Sequence, residues 1–234
     1  FGLVRERVGT RLTAFELMPR FGIELQLRHG ILGRDPAASV APWYALVEVG
    51  WMKGGAAGAL QAALEQALAQ GIVSDASVAQ SEAERTLMWA AREQMSEVQS
   101  KEGASIKHDI SVPIAAIPRM IAEGVAAAER AVPGIRPCSF GHMGDGNLHF
   151  NFSQPVGMDG KAFMALEPQV NAAVYEVVAR LDGSISAEHG IGQLKAGLLT
   201  RVKDPVALEM MRSIKAALDP NGILNPGKVL VPLG

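Results

Sequence analysis

The chain has 234 residues, enough for one large domain or two small ones around a buried core. Hydrophobic residues make up 48% and charged residues 20%, which excludes disordered and fibrous classes. Lys plus Arg (22) nearly balances Asp plus Glu (24), so no field of one sign exists to hold nucleic acid or an anionic membrane.

The predicted elements run as follows in chain order. An extended run, Arg11 to Leu17, precedes a short amphipathic stretch to about His29, and residues 33–42 read as a loop. Trp43 to Val49 alternates and is rich in aromatic and β-branched residues, the pattern of a strand. Gly54 to Gln70 is Ala-rich with Leu60, Leu64 and Leu68 four apart, which predicts a helix; a short strand is expected near Ile72. Asp75 and Ser77 offer N-caps for a long helix over about Val78–Gln99. Ser105 to Pro113 alternates, with Ile106, His108 and Ile110 on one face and Lys107, Asp109 and Ser111 on the other. A helix over about Ile114–Ala131 stops at Pro133-Gly134; its charges Arg119, Glu123 and Glu129 exclude a membrane span. Two strands follow, Arg136–His142 and Asn147–Ser153, then a helix over Lys161–Leu181 and a Gly/Ser-rich loop to Gly192. The remainder is helical to Leu218, with a stop at Pro220 to Gly222. This order predicts an α+β fold: an antiparallel sheet with helices packed mainly on one face, plus a helical C-terminal segment.

Three constellations carry chemistry. In GHMGDGNLHFN (residues 141–151), Asp145-Gly146 is a strong signal for a two-residue hairpin turn, which would set His142 directly opposite His149. Such a pair has Cβ atoms about 4.5–5.5 Å apart, close enough for two imidazoles to meet on one ion, and Asn151 shares their face. The plainer reading is a surface or hydrogen-bonded His pair. In GSISAEHGIG (residues 183–192), Glu188 could complete a set of two His and one carboxylate, leaving His189 as an acid–base group. The plainer reading there is a helix cap beside a solvated Glu. Arg92 and Ser96 are four apart on a helix and Lys107 lies on the next strand; they suit a carboxylate, or are ordinary surface charges. His29 and His108 have no spaced partner, the Met residues read as core filler, and the lone Cys138 reads as a buried strand residue that excludes disulfides and multi-Cys zinc sites. Gly190-Ile191-Gly192 is too short for a dinucleotide fingerprint.

Taken together, GHMGDGNLHFN, SAEHGIG, SIKHDISVP and DPNGILNPGK, with LTAFELM and PWYALVEV near the start, resemble the C-terminal half of FAD-linked 2-hydroxy-acid dehydrogenases. This is the D-lactate dehydrogenase, glycolate oxidase and D-2-hydroxyglutarate dehydrogenase group of the vanillyl-alcohol oxidase superfamily. The resemblance implies that FAD is bound mainly by an N-terminal half that this sequence does not contain. It implies a substrate-binding cap over residues 1–197 and a segment, 198–234, that returns to the FAD domain. His142, His149 and Glu188 then fall at the family's divalent-metal ligands, usually zinc, and His189 at its base. Arg92, Ser96, Lys107 and Asn151 fall where relatives hold substrate, with Thr commoner than Ser at position 96, and Asn225 lies in a late motif beside the flavin. The implied reaction oxidises a D-2-hydroxy acid to the 2-keto acid: His189 takes the hydroxyl proton and the flavin takes the hydride. The implied partners are the small hydroxy acid, the FAD-binding domain of the same parent protein, an electron acceptor and a second copy in a homodimer. The Phe1 start suggests a piece of a longer chain, and the expected location is cytoplasmic or peripheral to a membrane. Two other readings compete: a stand-alone module that binds a small carboxylate or dimerises, and a metal-dependent hydrolase or lyase.

Overall fold

The computed structural model describes residues 1–50 and 56–231. The chain opens with α1 (Gly2–Val8), β1 (Leu12–Pro19), α2 (Arg20–Arg28), β2 (Trp43–Val49) and α3 (Ala56–Ala69). Next come α4 (Glu82–Glu93), α5 (Met95–Ser100), β3 (Ser105–Ile106), β4 (Asp109–Ser111) and α6 (Ile117–Ala131). The hairpin β5 (Arg136–His142) and β6 (Asn147–Ser153) follows, then α7 (Gly160–Ala165), α8 (Glu167–Arg180), α9 (Ala196–Val202) and α10 (Pro205–Leu218). The six strands form one sheet in the order β2-β1-β5-β6-β3, with β4 beside β3 on the same edge of β6, and every pairing is antiparallel. The α+β class expected from the element order is the one observed.

Alternation along β6 divides the molecule. Leu148, Phe150 and Phe152 point to one face, where α6 and α8 cover them with Ile117, Met120, Val170, Val174 and Val178 in the largest apolar cluster. Full burial of each Phe stabilises the fold by about 1.5–3 kcal/mol. A Cβ at Gly124 would sit 2.7 Å from the Phe150 ring, so this mid-helix glycine lets α6 approach the sheet. His149, Asn151 and Ser153 point to the other face, together with Cys138 and Phe140 of β5 and Glu16 and Met18 of β1. There α2 and α5 supply Ile23 and Met95. Cys138 has no exposed surface, and burial pushes its thiol up to about 12.

Several boundaries differ from the periodicity reading. No strand forms near Ile72, which is exposed. The long helix starts later, capped by Ser81, whose Oγ accepts Glu84 N–H at 3.2 Å, and Gln94 divides it into α4 and α5. Asp75 instead accepts the backbone N–H of Ala38 at 2.7 Å and fastens the 33–42 loop. The alternating run 105–113 is interrupted at Lys107-His108. His108 turns inward, exchanging Nδ1–H to Phe150 O and Phe150 N–H to its own carbonyl, both at 2.8 Å. The helix over 161–181 breaks at Leu166, because Pro168, lacking an N–H, suits the first turn of α8. The C-terminal helical stretch is likewise two helices, the second capped by Asp204 before Pro205. Among the described residues no helix is long and apolar enough to cross a membrane.

The hairpin register also differs. His149 lies opposite Phe140 and Asn151 opposite Cys138, so His142 is displaced along the strand from the pairing the sequence suggested. The connection is Met143–Gly146 rather than Asp145-Gly146 alone. Of the central pair only Gly146 takes positive φ (84°), whereas the two-residue turn requires it at both. Asp145 instead accepts Asn147 N–H through Oδ1 at 3.0 Å.

Candidate functional site

The open end of this second face collects His142, His149, Glu188 and His189. His142, at the end of β5, and His149, near the start of β6, share the face with ring centroids 5.8 Å apart. Glu188 reaches them from the loop after α8: its Oε1 is 3.3 Å from His142 Nε2 and its Oε2 is 3.9 Å from His149 Nε2. The His189 ring lies 6.2 Å from that of His149, and its side chain is 68% exposed. The two imidazoles therefore converge although they are not directly opposed: side chains two residues apart on a strand point the same way.

On the strand side, His142 is held by a buried carboxylate. Glu16 on β1 is paired with His142 in register and is only 3% exposed. Its Oε1 lies 2.9 Å from His142 Nδ1 and its Oε2 accepts Arg92 Nε–H at 2.8 Å. An ionised carboxylate only accepts, so Nδ1 is the donor toward Glu16, and in a neutral ring Nε2, on the Glu188 side, is the nitrogen that keeps a lone pair. Arg92 sits over the Phe140 ring at 4.9 Å, and its Nη2 approaches His142 Nε2 at 3.4 Å. Burial first, then the Arg92 charge, hold the His149 imidazole below its ordinary pKa against the opposing influence of Glu188. Both effects favour neutral, ligating imidazole.

The loop-borne groups are fixed by a different carboxylate. Asp109 on β4, 2% exposed, accepts through Oδ2 the backbone N–H groups of Ala187 (3.0 Å), Glu188 (2.9 Å) and His189 (2.9 Å). Burial alone would raise its carboxyl pKa; the N–H groups of His189, Glu188 and Ala187 outweigh burial and hold it below the usual range. Ser111 and Ser184 exchange backbone hydrogen bonds of 3.1 and 2.8 Å, adding a two-point attachment of the loop to β4. A Cβ at Gly183 would meet Ser111 O at 2.5 Å, so this close approach requires glycine. Lys195 donates to Ile185 O at 2.7 Å, and Val229 N–H donates to Gly192 O at 2.7 Å. Among the described residues, the group whose potential ligand atoms all lie within 4.8 Å of one another is Asp109, His149, Glu188 and His189, without His142. Asp109 Oδ2 is occupied by the backbone of the loop, while its Oδ1 is buried without a hydrogen-bond partner.

The remaining candidates are placed less uniformly. Lys107 Nζ donates to Ser96 Oγ at 3.2 Å, an exposed pair; Gln94 separates Ser96 on α5 from Arg92 on α4, so the two do not lie on one continuous helix as the spacing suggested. Asn151 is buried and donates Nδ2–H to Gln99 Oε1 at 3.0 Å, while Gln99 donates to Ser153 Oγ at 3.2 Å. Asn225 lies in an exposed turn after α10 with φ 47°.

Residues 3–229 match the family described as FAD linked oxidases, C-terminal domain. The chain belongs to this family. A D-2-hydroxyglutarate dehydrogenase of Xanthomonas citri pv. viticola is 38% identical over 223 residues, covering 95% of this chain and 47% of that protein. The mitochondrial D-2-hydroxyglutarate dehydrogenase of Bos taurus is 37% identical over 231 residues, covering 98% and 41%. The chain thus spans less than half the length of these curated relatives. A solved structure of 4-ethylphenol oxidase from Gulosibacter chungangensis, in complex with isoeugenol, has a TM-score of 0.58 at 14% identity. It covers 97% of this chain and 50% of that one, a likeness of fold alone.

Within this FAD-linked oxidase domain, sequence reading missed Glu16, Asp109 and Gln99. Glu16 and Asp109 are lone carboxylates in alternating strands, and their partners lie 76 to 126 residues away, so no local spacing marks them. The one available signal was an acidic residue in the middle of LTAFELM, an otherwise apolar strand.

Proposed function

We propose that this chain forms the substrate- and metal-binding part of an FAD-dependent dehydrogenase that oxidises a D-2-hydroxy acid to the 2-keto acid. In this reading residues 1–197 are the cap, and 198–234 return to the FAD-binding domain of the same protein. The exposed apolar stripe Val206, Met210, Ile214 and Leu218 on α10 supports a covered role for that segment. The carrying observation is the convergence of His142, His149 and Glu188 from two distant segments, with Glu16 facing His142 Nδ1 and Glu188 facing His142 Nε2. Two imidazoles and a carboxylate suit zinc or another divalent ion. When bound, the ion lowers the pKa of a coordinated hydroxyl. FAD supplies the hydride acceptor. The exposed side of Glu188 and His189 suits a site completed by a second body carrying the flavin.

This chain's residues supply position and charge. Arg92 and Lys107 neutralise the acid, with Ser96 and Asn151 adding polar contacts that fix its orientation. His189 takes the hydroxyl proton on a ring nitrogen, and Asn225 lies beside the flavin. The relatives' name makes 2-hydroxyglutarate the first acid to test. An unidentified electron acceptor and a homodimeric state complete the proposal.

Elemental analysis tests the metal. We expect about one divalent ion per chain in the wild type and none in His142→Ala with His149→Ala; equal content removes the ligand assignment. In the protein carrying its FAD half, His189→Asn should slow flavin reduction by about 10²-fold or more with metal retained. Reduction at the wild-type rate removes the base role.

A further inference from the structure

The geometry points to Glu16 as a positioning residue that couples the two halves of the site, holding the ligand His142 and the substrate-binding Arg92 through opposite oxygens of one buried carboxylate. This deepens the proposed function and rests on it for the roles of His142 and Arg92.

Glu16 offers two acceptor oxygens and almost no surface to water. One faces His142 Nδ1 at 2.9 Å and the other faces Arg92 Nε at 2.8 Å. Arg92 itself is 7% exposed, and Glu16 is the carboxylate on its guanidinium among the described residues. With Nε occupied and the plane resting on Phe140, only the Nη edge remains to meet an anion, and Nη2 already lies beside His142 Nε2. Thus the direction of the guanidinium edge and the tautomer of the imidazole follow from the same side chain. A His whose second nitrogen donates to a carboxylate is oriented and made more basic as a metal ligand. Here the same carboxylate also aims the cation that neutralises the acid.

The substitution Glu16→Gln separates these jobs. Gln keeps the shape but has one carbonyl oxygen; its NH2 must face either His142 Nδ1–H or Arg92 Nε–H, donor against donor. If Glu16 positions both, the fall in zinc affinity is about 10–100-fold. The neutral His142 ring then loses its preference for the Nδ1–H tautomer. Adding Arg92→Met frees the amide carbonyl to turn to His142, so Glu16→Gln with Arg92→Met should regain the Nδ1–H tautomer and part of the zinc affinity. The double variant also removes the buried unpaired charge, and so remains testable if the single variant does not fold.

Two measurements on the full chain decide it. Zinc affinity is read by competition with a chromophoric chelator. The tautomer is read from ¹⁵N imidazole shifts of the metal-free chain at pH about 8.5, above the ordinary imidazole pKa of about 6.5. Loss in Glu16→Gln followed by recovery in the double variant supports the coupling. Unchanged tautomer in Glu16→Gln overturns it, as does a double variant no better than the single one. If the wild type binds no zinc while the tautomer changes and recovers as described, the metal reading fails and the positioning role of Glu16 stands.

Discussion

The strand-borne and loop-borne halves of the site are held by different physics. His142 and His149 sit on adjacent strands of the sheet, and the reverse face of β6 is packed by Phe150 and Phe152. Glu188 and His189 sit on an exposed loop whose conformation is set by polar attachments to β4, chiefly one carboxylate on three N–H groups. The first half stands on strands fixed by the packed core, with Glu16 orienting His142, and shares the stability of the whole domain. The second is fixed by a few directional bonds and can open alone, the usual character of a segment that must admit and release a ligand.

The comparison can be broken most forcefully from the core side. Phe150→Ala should cost about 3–5 kcal/mol of global stability, measured by chemical denaturation. The loop should open with the rest of the domain in that variant, not before it. Asp109→Ala should cost less, about 2–3 kcal/mol, through loss of charge-assisted bonds. Its signature is local: hydrogen exchange should accelerate at the amides of Ala187, Glu188 and His189 and stay slow in β5 and β6. Equal acceleration in both halves would erase the distinction.

The smallest effect sharpens it by pH. Glu102 bonds Arg136, at the far end of the strand that carries His142, and Arg28 and His29 at the end of α2. The Arg136 hydrogen bond, against some burial, and then His29 and Arg28 lower its pKa to about 2. A depressed carboxylate pKa gives stability that is complete above the unfolded value of about 4.3 and lost as pH falls toward 2. Glu102→Gln should therefore remove about 1–2 kcal/mol at neutral pH and almost nothing near pH 2, without changing zinc affinity. A difference that grows on acidification would contradict this assignment.

How much was legible in the sequence follows the same division. Both hairpin strands lie where the sequence reading placed them, as does β2, which its alternation marked. The hairpin register was not legible, because Asp145-Gly146 resembles a tight turn and only tertiary contact reveals otherwise. A Cβ at Gly146 would meet Val112 O at 2.1 Å, and one at Gly141 would meet Asn147 O at 2.3 Å. The long helix was misjudged at both ends of its first segment, since Asp75 and Ser77 look like caps while Asp75 holds a loop. The His and Glu of the site were legible through their motifs. The carboxylates that hold them, Glu16 and Asp109, are defined by partners far along the chain and become visible only in three dimensions.

Cys138 offers a practical consequence. Its thiol is enclosed by the sheet and α2, and with a pKa near 12 it is almost wholly protonated at neutral pH. It will stay silent toward maleimides in the folded protein. A single cysteine introduced at exposed Leu194 can therefore carry a fluorescent or spin label without removing the native one, giving a clean optical or magnetic report of the 183–192 segment in motion.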